Sequence, residues 1–253
     1  MINAATLPTA EVPRSPFSRG SLENLLATAT VLTAVQPIVD LESSECVGHE
    51  LLARARSDSF GARIKSLSQR ADSMGLAVEL SRWLRQYGLG KTASRVEPRR
   101  LFVHTHPREL ARPDQLLESL AKSAERYPGL ALVVEIHPQA ELTPVAFSKL
   151  RSSLKALGVG VAFGGFGEGL SRLLELATAP PDFVKFAPEM VRGLDQRERS
   201  RAKVVSPILQ FIRSVSAVSI ATGVETPGEM EVCRDIGFQR AQGSIVGRPW
   251  IAA

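Results

Sequence analysis

The chain has 253 residues, 44% hydrophobic and 23% charged, with 31 Lys and Arg against 26 Asp and Glu for a formal net charge of +5. This is an ordinary globular composition, and about 250 residues is the length of an α/β barrel folded as one domain. It excludes a membrane-spanning chain, because no uninterrupted apolar stretch reaches about 18 residues, and a disulfide-stapled one, because the two cysteines, Cys46 and Cys233, read as free thiols of a reduced cytoplasm. The arginines are spread along the chain without a long basic run or interleaved aromatics. That argues against direct nucleic-acid binding and leaves the positive charge for other acidic partners. No basic segment followed by an apolar stretch opens the sequence, so no signal peptide is expected and the cytoplasm is the expected location.

Residues 1–20 carry Pro8, Pro13 and Pro16 among Ser and Thr and read as a flexible N-terminal arm. A single domain is expected over 21–253, with Ser21 as N-cap of a short first helix. Val31–Leu41 is strand-like, and ESSE then makes a turn into a second strand, Cys46–Ala55, close enough for a hairpin. Helical spacing follows over 60–73 and 76–89. Leu101–Thr105 reads as a strand, 108–124 as a helix, Leu130–Ile136 as a strand rich in β-branched residues and 140–156 as a helix. Val159–Phe163 is a strand, broken by Gly164 and Gly165. A short helix near 170–177, a strand at Phe183–Phe186 and a helix over 199–214 come next. The strand Ala217–Thr222, the helix Thr226–Ile236 and a last short strand near Gln239–Gly243 complete the order.

About eight strands, mostly separated by helices, predict a parallel sheet closed into a TIM-like (β/α)8 barrel. The opening hairpin makes one strand antiparallel. In such a barrel, function sits where strands end, so those ends are the candidate site. They carry Glu50 and Arg54, His104 and His106, Glu135 and His137, Gly164 and Gly165, Lys185, Thr222 and Glu225, and Gln242. Residues two apart on a strand share a face, which would allow His104 to pair with His106 and Glu135 with His137; the expectation is the simpler one, that the histidines fill space or face solvent. The glycine run is not a dinucleotide-binding loop. The G-x-G-x-x-G pattern needs a glycine where Leu170 stands, and an acidic residue at the end of the next strand, where Phe186 and Ala187 stand.

Several motifs, in order, resemble one family. QPIVDL (Gln36–Leu41) and GHELLAR (Gly48–Arg54) resemble the opening of the EAL domain of cyclic di-GMP phosphodiesterases, whose Glu-Ala-Leu here reads Glu50-Leu51-Leu52. ADSMGLAVELSRWL (Ala71–Leu84), LFVHTHP, VVEIHP, LGVGVAFGGFGEGLSRL, PDFVKFAPEMV and IATGVETPGEMEVCRDIGFQRAQGSIVGRPW continue the match. The resemblance covers about Val31 to Trp250 and implies an EAL-type barrel. In active members two Mg²⁺ or Mn²⁺ ions generate a hydroxide that opens cyclic di-GMP to linear pGpG.

The resemblance also assigns positions. Glu50 and Glu135 are kept as metal-ligating glutamates, and His104 stands at the asparagine ligand. Gly164 and Gly165 stand at the two metal-bridging aspartates, Ala187 at the aspartate after the kept Lys185, and Thr222 at the first glutamate of A-E-G-V-E-T. Two carboxylates cannot hold two hard cations close together without further oxygen ligands, so tight Mg²⁺ or Mn²⁺ binding and hydrolysis are not expected. The implied ligand-binding set is Gln36, Glu50, Arg54, Glu135, Lys185, Glu225, Gln242 and Pro249. The expectation is a metal-independent cyclic di-GMP receptor acting through a regulatory protein partner. The alternatives are a ligand-independent adaptor for transcription or motility, and a residual phosphodiesterase. A replacement site for a softer ion such as Zn²⁺ would use Glu50, His104, Glu135 and His137. The loop after Gly165 commonly serves subunit contact in the family; here it departs from the pattern, which leaves a homodimer open.

Overall fold

The computed structural model describes residues 23, 26, 31–55, 62–168, 173–195 and 200–252. The expected arm over 1–20 and the Ser21 cap lie outside these residues, as do residues 169–172 of the glycine-rich segment. Two strands, β1 (Val31–Asp40) and β2 (Cys46–Ala55), form the opening hairpin. Its register runs antiparallel from Val31↔Ala55 through Gln36↔Glu50 to Ile38↔Gly48. Asp40 fixes the turn, its carboxylate accepting from the backbone N–H groups of Glu42 and Ser43, each at 3.0 Å.

The chain then alternates. In order come α1 (Ala62–Ser73), α2 (Ala77–Thr92), β3 (Arg100–His104), a 3₁₀ turn (Pro107–Ala111), α3 (Pro113–Arg126), β4 (Ala131–Ile136), α4 (Pro144–Ala156) and β5 (Gly160–Phe166). They are followed by α5 (Leu173–Thr178), β6 (Phe183–Phe186), α6 (Pro188–Val191), α7 (Ser200–Ser214), β7 (Val218–Thr222), α8 (Pro227–Ile236), β8 (Arg240–Gln242) and β9 (Trp250–Ile251). The sheet order is β2-β3-β4-β5-β6-β7-β8-β1, and the β1–β2 pairing closes it into a barrel. Strands β2 to β8 run parallel and β1 is reversed, as the hairpin requires. The ninth strand, β9, adds to β1 at Ala34 and Val35.

Local chemistry sets the helix starts. Proline occupies the first turn of α3, α4 and α8, where its missing N–H costs no helical hydrogen bond. Thr143 caps α4 by accepting from Ala146 N at 3.2 Å, and Thr226 and Glu229 form a reciprocal capping box on α8. These signals correct two expectations. The helix expected over 108–124 is split at Pro113, and the one expected from 140 begins at Pro144. The short α6 and β9 are additional to the expected elements. The largest correction is β5: it does not stop at Phe163 but continues through both glycines to Phe166, with a register irregularity between Phe163 and Phe166.

Alternation along the strands fills the lumen in layers. The middle layer is apolar: Ile38, Phe102, Val133, Ala162 and Ile220, with Phe183 packed edge-on against Phe102. The opposite strand faces, with residues such as Leu101, Val134 and Phe163, meet Leu116 and Leu120 of α3, Phe147 and Leu150 of α4, and Leu209 of α7. Each fully buried side chain of this kind contributes about 1.5–3 kcal/mol. The apolar floor divides the lumen into an upper mouth, at the C-terminal ends of the parallel strands, and a lower one. Among the described residues no helix is long and apolar enough to cross a membrane.

Candidate functional site

Two residues on from the floor, alternation turns Gln36, His104, Glu135, Gly164, Lys185 and Thr222 into the upper mouth, and Glu50 and Gln242 join them from β2 and β8. Lys185 is the hub. Its Nζ lies 3.0 Å from Glu50 Oε2 and 2.7 Å from Glu135 Oε2, and 5.8 Å from the centroid of the Phe102 ring beneath it. All three charged groups are buried. Glu50 Oε1 accepts from His104 Nε2 at 2.7 Å, and Glu50 Oε2 also accepts from Gln242 Nε2. The same Gln242 nitrogen reaches Gln36 Oε1 at 3.3 Å, while Gln36 Nε2 donates to Gly247 O at 3.1 Å. Gln242 Oε1 is buried without a hydrogen-bond partner among the described residues.

The electrostatics follow from this wiring. Burial alone would raise the Glu50 carboxyl, but Lys185, His104 and Gln242 together hold it well below the usual carboxylate range. Burial acts against the charged form of Lys185, and Glu135 and Glu50 override it, so the ammonium is held above its ordinary value. His104 sits at the rim, with half of its side chain exposed. Desolvation acts downward on its imidazole, yet Glu135 and Glu50 raise it above the ordinary histidine value. With His104 protonated, two anions and two cations cancel.

The cluster depends on Gly164. A Cβ there would overlap Glu135 Oε1 and lie 2.9 Å from Glu135 Cγ, so the glutamate occupies the space of an absent side chain. Gly165 has φ +59°, and a Cβ there would meet Pro138 Cγ at 2.9 Å. The two residues are strand backbone that makes room. Thr222 turns its hydroxyl to Phe186 O at 2.6 Å, and Ala187 is buried. Gly164, Gly165, Ala187 and Thr222 thus bring no carboxylate to the mouth.

A cavity of about 400 Å³ opens above the cluster. Of the expected residues, Gln36, Glu50, Glu135, Gly165, Lys185, Ala187, Thr222, Glu225 and Gln242 line it; Arg54 and Pro249 do not. Arg54 is half-buried and bonds Ala53 O at 3.0 Å; burial pulls its guanidinium below the ordinary value while the Glu50 charge acts oppositely. Glu225 is exposed and pairs with Arg192 at 3.3 Å.

His106 and His137 lie outside the strands that carry His104 and Glu135. The chain leaves β3 before His106, whose Nδ1 accepts from Arg108 N to cap the 3₁₀ turn. It leaves β4 before His137, which is exposed and accepts from Gln139 N. Period two holds only inside a strand, so neither histidine follows its neighbour inward. The structure does bring Glu50, His104 and Glu135 together, with one donor atom from each within 4.8 Å of the others. Sequence reasoning missed Glu168, which also lines the cavity. Carrying β5 through to Phe166 would have found it, as the first charged side chain past the strand.

Against known proteins, the family model of the EAL domain matches residues 19–249. A protein of Azorhizobium caulinodans is 27% identical over 233 residues, covering 87% of this chain and 31% of the other. The bifunctional diguanylate cyclase/cyclic di-GMP phosphodiesterase MucR of Pseudomonas aeruginosa is 33% identical over 96 residues, covering 38% of this chain and 14% of its own length. The chain therefore spans less than a third of either relative. The solved PaMucR phosphodiesterase in complex with c-di-GMP superposes with a TM-score of 0.77 at 25% identity, covering 88% of this chain and 97% of that one.

Proposed function

The chain belongs to the EAL domain family, the family of cyclic di-GMP phosphodiesterases, and on that premise we propose that it is a receptor that binds cyclic di-GMP without metal and signals through a protein partner instead of hydrolysing the ligand. The observation that carries this reading is the placement of Lys185 between Glu50 and Glu135, at 3.0 and 2.7 Å. An ammonium supplies the positive charge that those carboxylates would otherwise need from a cation. Two hard divalent ions require a fuller set of oxygen ligands than this mouth offers. Glu135 also fills the space where a further carboxylate would stand at position 164. The residues present do not fit a pair of Mg²⁺ or Mn²⁺ ions. The trio of Glu50, His104 and Glu135 suits one borderline ion such as Zn²⁺ by donor type, but Lys185 holds two of its three members.

The mouth keeps features suited to a dinucleotide. Its cavity of about 400 Å³ is in the range of small-ligand sites. Gln242 Oε1 is a buried acceptor that a bound N–H would satisfy. Lys185, on the cavity wall, supplies a cationic donor for phosphate.

Calorimetric titration of cyclic di-GMP in EDTA, with chromatography of the products after incubation in Mg²⁺ and Mn²⁺, tests the reading. Micromolar or tighter binding in EDTA without pGpG is the expected outcome. Absence of binding up to millimolar ligand would replace the receptor by a ligand-independent adaptor, and steady pGpG accumulation would make the protein an enzyme.

A further inference from the structure

The lower mouth of the barrel carries charge that its own residues leave unanswered. Arg100 opens β3 and Arg240 opens β8, and alternation turns both into the lumen beside Phe183, at the start of β6. The Arg240 guanidinium lies 5.1 Å and that of Arg100 6.0 Å from the centroid of the same Phe183 ring. Both arginines are partly exposed, so the face is open to solvent.

Their polar atoms are incompletely satisfied. Arg100 Nη1 donates to Val47 O at 3.1 Å, but Arg240 Nη1 is buried without a partner. Asp40 is the register partner of Arg240 across β1 and β8. Its carboxylate nevertheless serves the hairpin turn, accepting from Glu42 N and Ser43 N. Among the described residues neither arginine is ion-paired within 4.0 Å. Burial first, and then the charge of Arg100, pull the Arg240 guanidinium below its ordinary value, while Asp40 acts the other way.

Small residues clear the adjoining rim. Gly48 and Ala131 flank Arg100 on the neighbouring strands, and a Cβ at Gly48 would press on Arg100 Cγ at 3.3 Å. Two like charges on one ring repel, and the ring face offsets this only in part. A guanidinium fork matches the oxygen spacing of phosphate and can take it bidentately. We propose that the lower mouth is a binding site for a phosphate group, held by Arg100 and Arg240 on the side of the apolar floor opposite the ligand cavity. This site stands whether or not the upper mouth binds cyclic di-GMP.

The test is thermal unfolding of the full chain in inorganic phosphate against chloride at matched ionic strength, repeated with phosphoserine. A saturable rise in Tm with phosphate is expected. It should vanish in both Arg240→Gln and Arg100→Gln and persist in Arg240→Lys with affinity weaker by about tenfold. It should be unchanged in Arg112→Gln, an exposed arginine at the start of α3. An equal midpoint for phosphoserine would identify a phosphomonoester as an accepted source, and a response to inorganic phosphate alone would identify the free ion. If the glutamine variants do not fold, broadening of the phosphate ³¹P resonance by wild-type protein but less by Arg240→Lys carries the same information. No rise beyond chloride, or a rise that survives both glutamine substitutions, would overturn the proposal.

Discussion

The two mouths of the barrel are built on the same strands and solve opposite electrostatic problems. At the upper end Lys185 touches both buried carboxylates, and His104 and Gln242 take the remaining reach of Glu50. At the lower end two guanidiniums share one aromatic ring, while the nearest carboxylate across the register is committed to a turn. Strand alternation sends side chains into a closed lumen whatever their charge. Neutralisation must then come from the same layer or from a ligand. The upper mouth does it internally, so its charge is structural as well as functional. The lower mouth leaves it to the solution.

Truncation should separate the two ends clearly. Lys185→Met leaves Glu135 buried without its ion-pair partner and Glu50 with His104 alone, and a loss of about 3–5 kcal/mol is expected in urea unfolding. A change below about 1 kcal/mol would mean that the carboxylates are neutralised in another way. Gly164→Ala should come next, at about 1–3 kcal/mol, because its Cβ drives Glu135 off its present rotamer and away from Lys185. A stability unchanged from wild type would show that Glu135 moves freely and that the glycine is not a structural requirement.

Glu50 is lowered from the ordinary carboxylate value of 4.5, so its contribution is present above that value and is lost as pH falls through its folded value. His104 is raised from 6.5, so its contribution is complete below 6.5 and is lost as pH rises through its higher folded value. The upper mouth therefore contributes most between about 4.5 and 6.5. In His104→Gln the decline on the alkaline side should disappear while the acid limb stays. The smallest effect belongs to the lower mouth: Arg240→Met in phosphate-free buffer should cost only about 0.5–1 kcal/mol, the scale of one cation–π contact. A larger loss would show an internal partner for that guanidinium.

Much of this was legible in the sequence, and the exceptions share a cause. The barrel, its reversed strand and the inward placement of Glu50, Glu135, Lys185 and Gln242 follow from alternation plus the order of strands, while Gln36 and Ala187 come only from the family resemblance. The misses occur where a strand ends at a residue that local pattern does not mark. His106 and His137 lie just beyond strand ends and cap turns instead of facing inward. Gly164 and Gly165 look like a break, because glycine weakens a strand locally, but tertiary pairing carries β5 through them. Arg100 and Arg240, 140 residues apart in sequence, meet over Phe183 only through barrel closure, which no local window contains.

On the proposed reading, the upper mouth is neutralised from within by Lys185 and has no place for a metal pair. Titration of the protein with Mn²⁺, with and without cyclic di-GMP, read by the free-ion electron paramagnetic resonance signal, tests it most directly. The expected result is that Mn²⁺ added at stoichiometric levels stays in solution in both cases, while Gly164→Asp and Gly165→Asp combined with Thr222→Glu begin to withdraw it. Two ions withdrawn per wild-type chain would contradict the account.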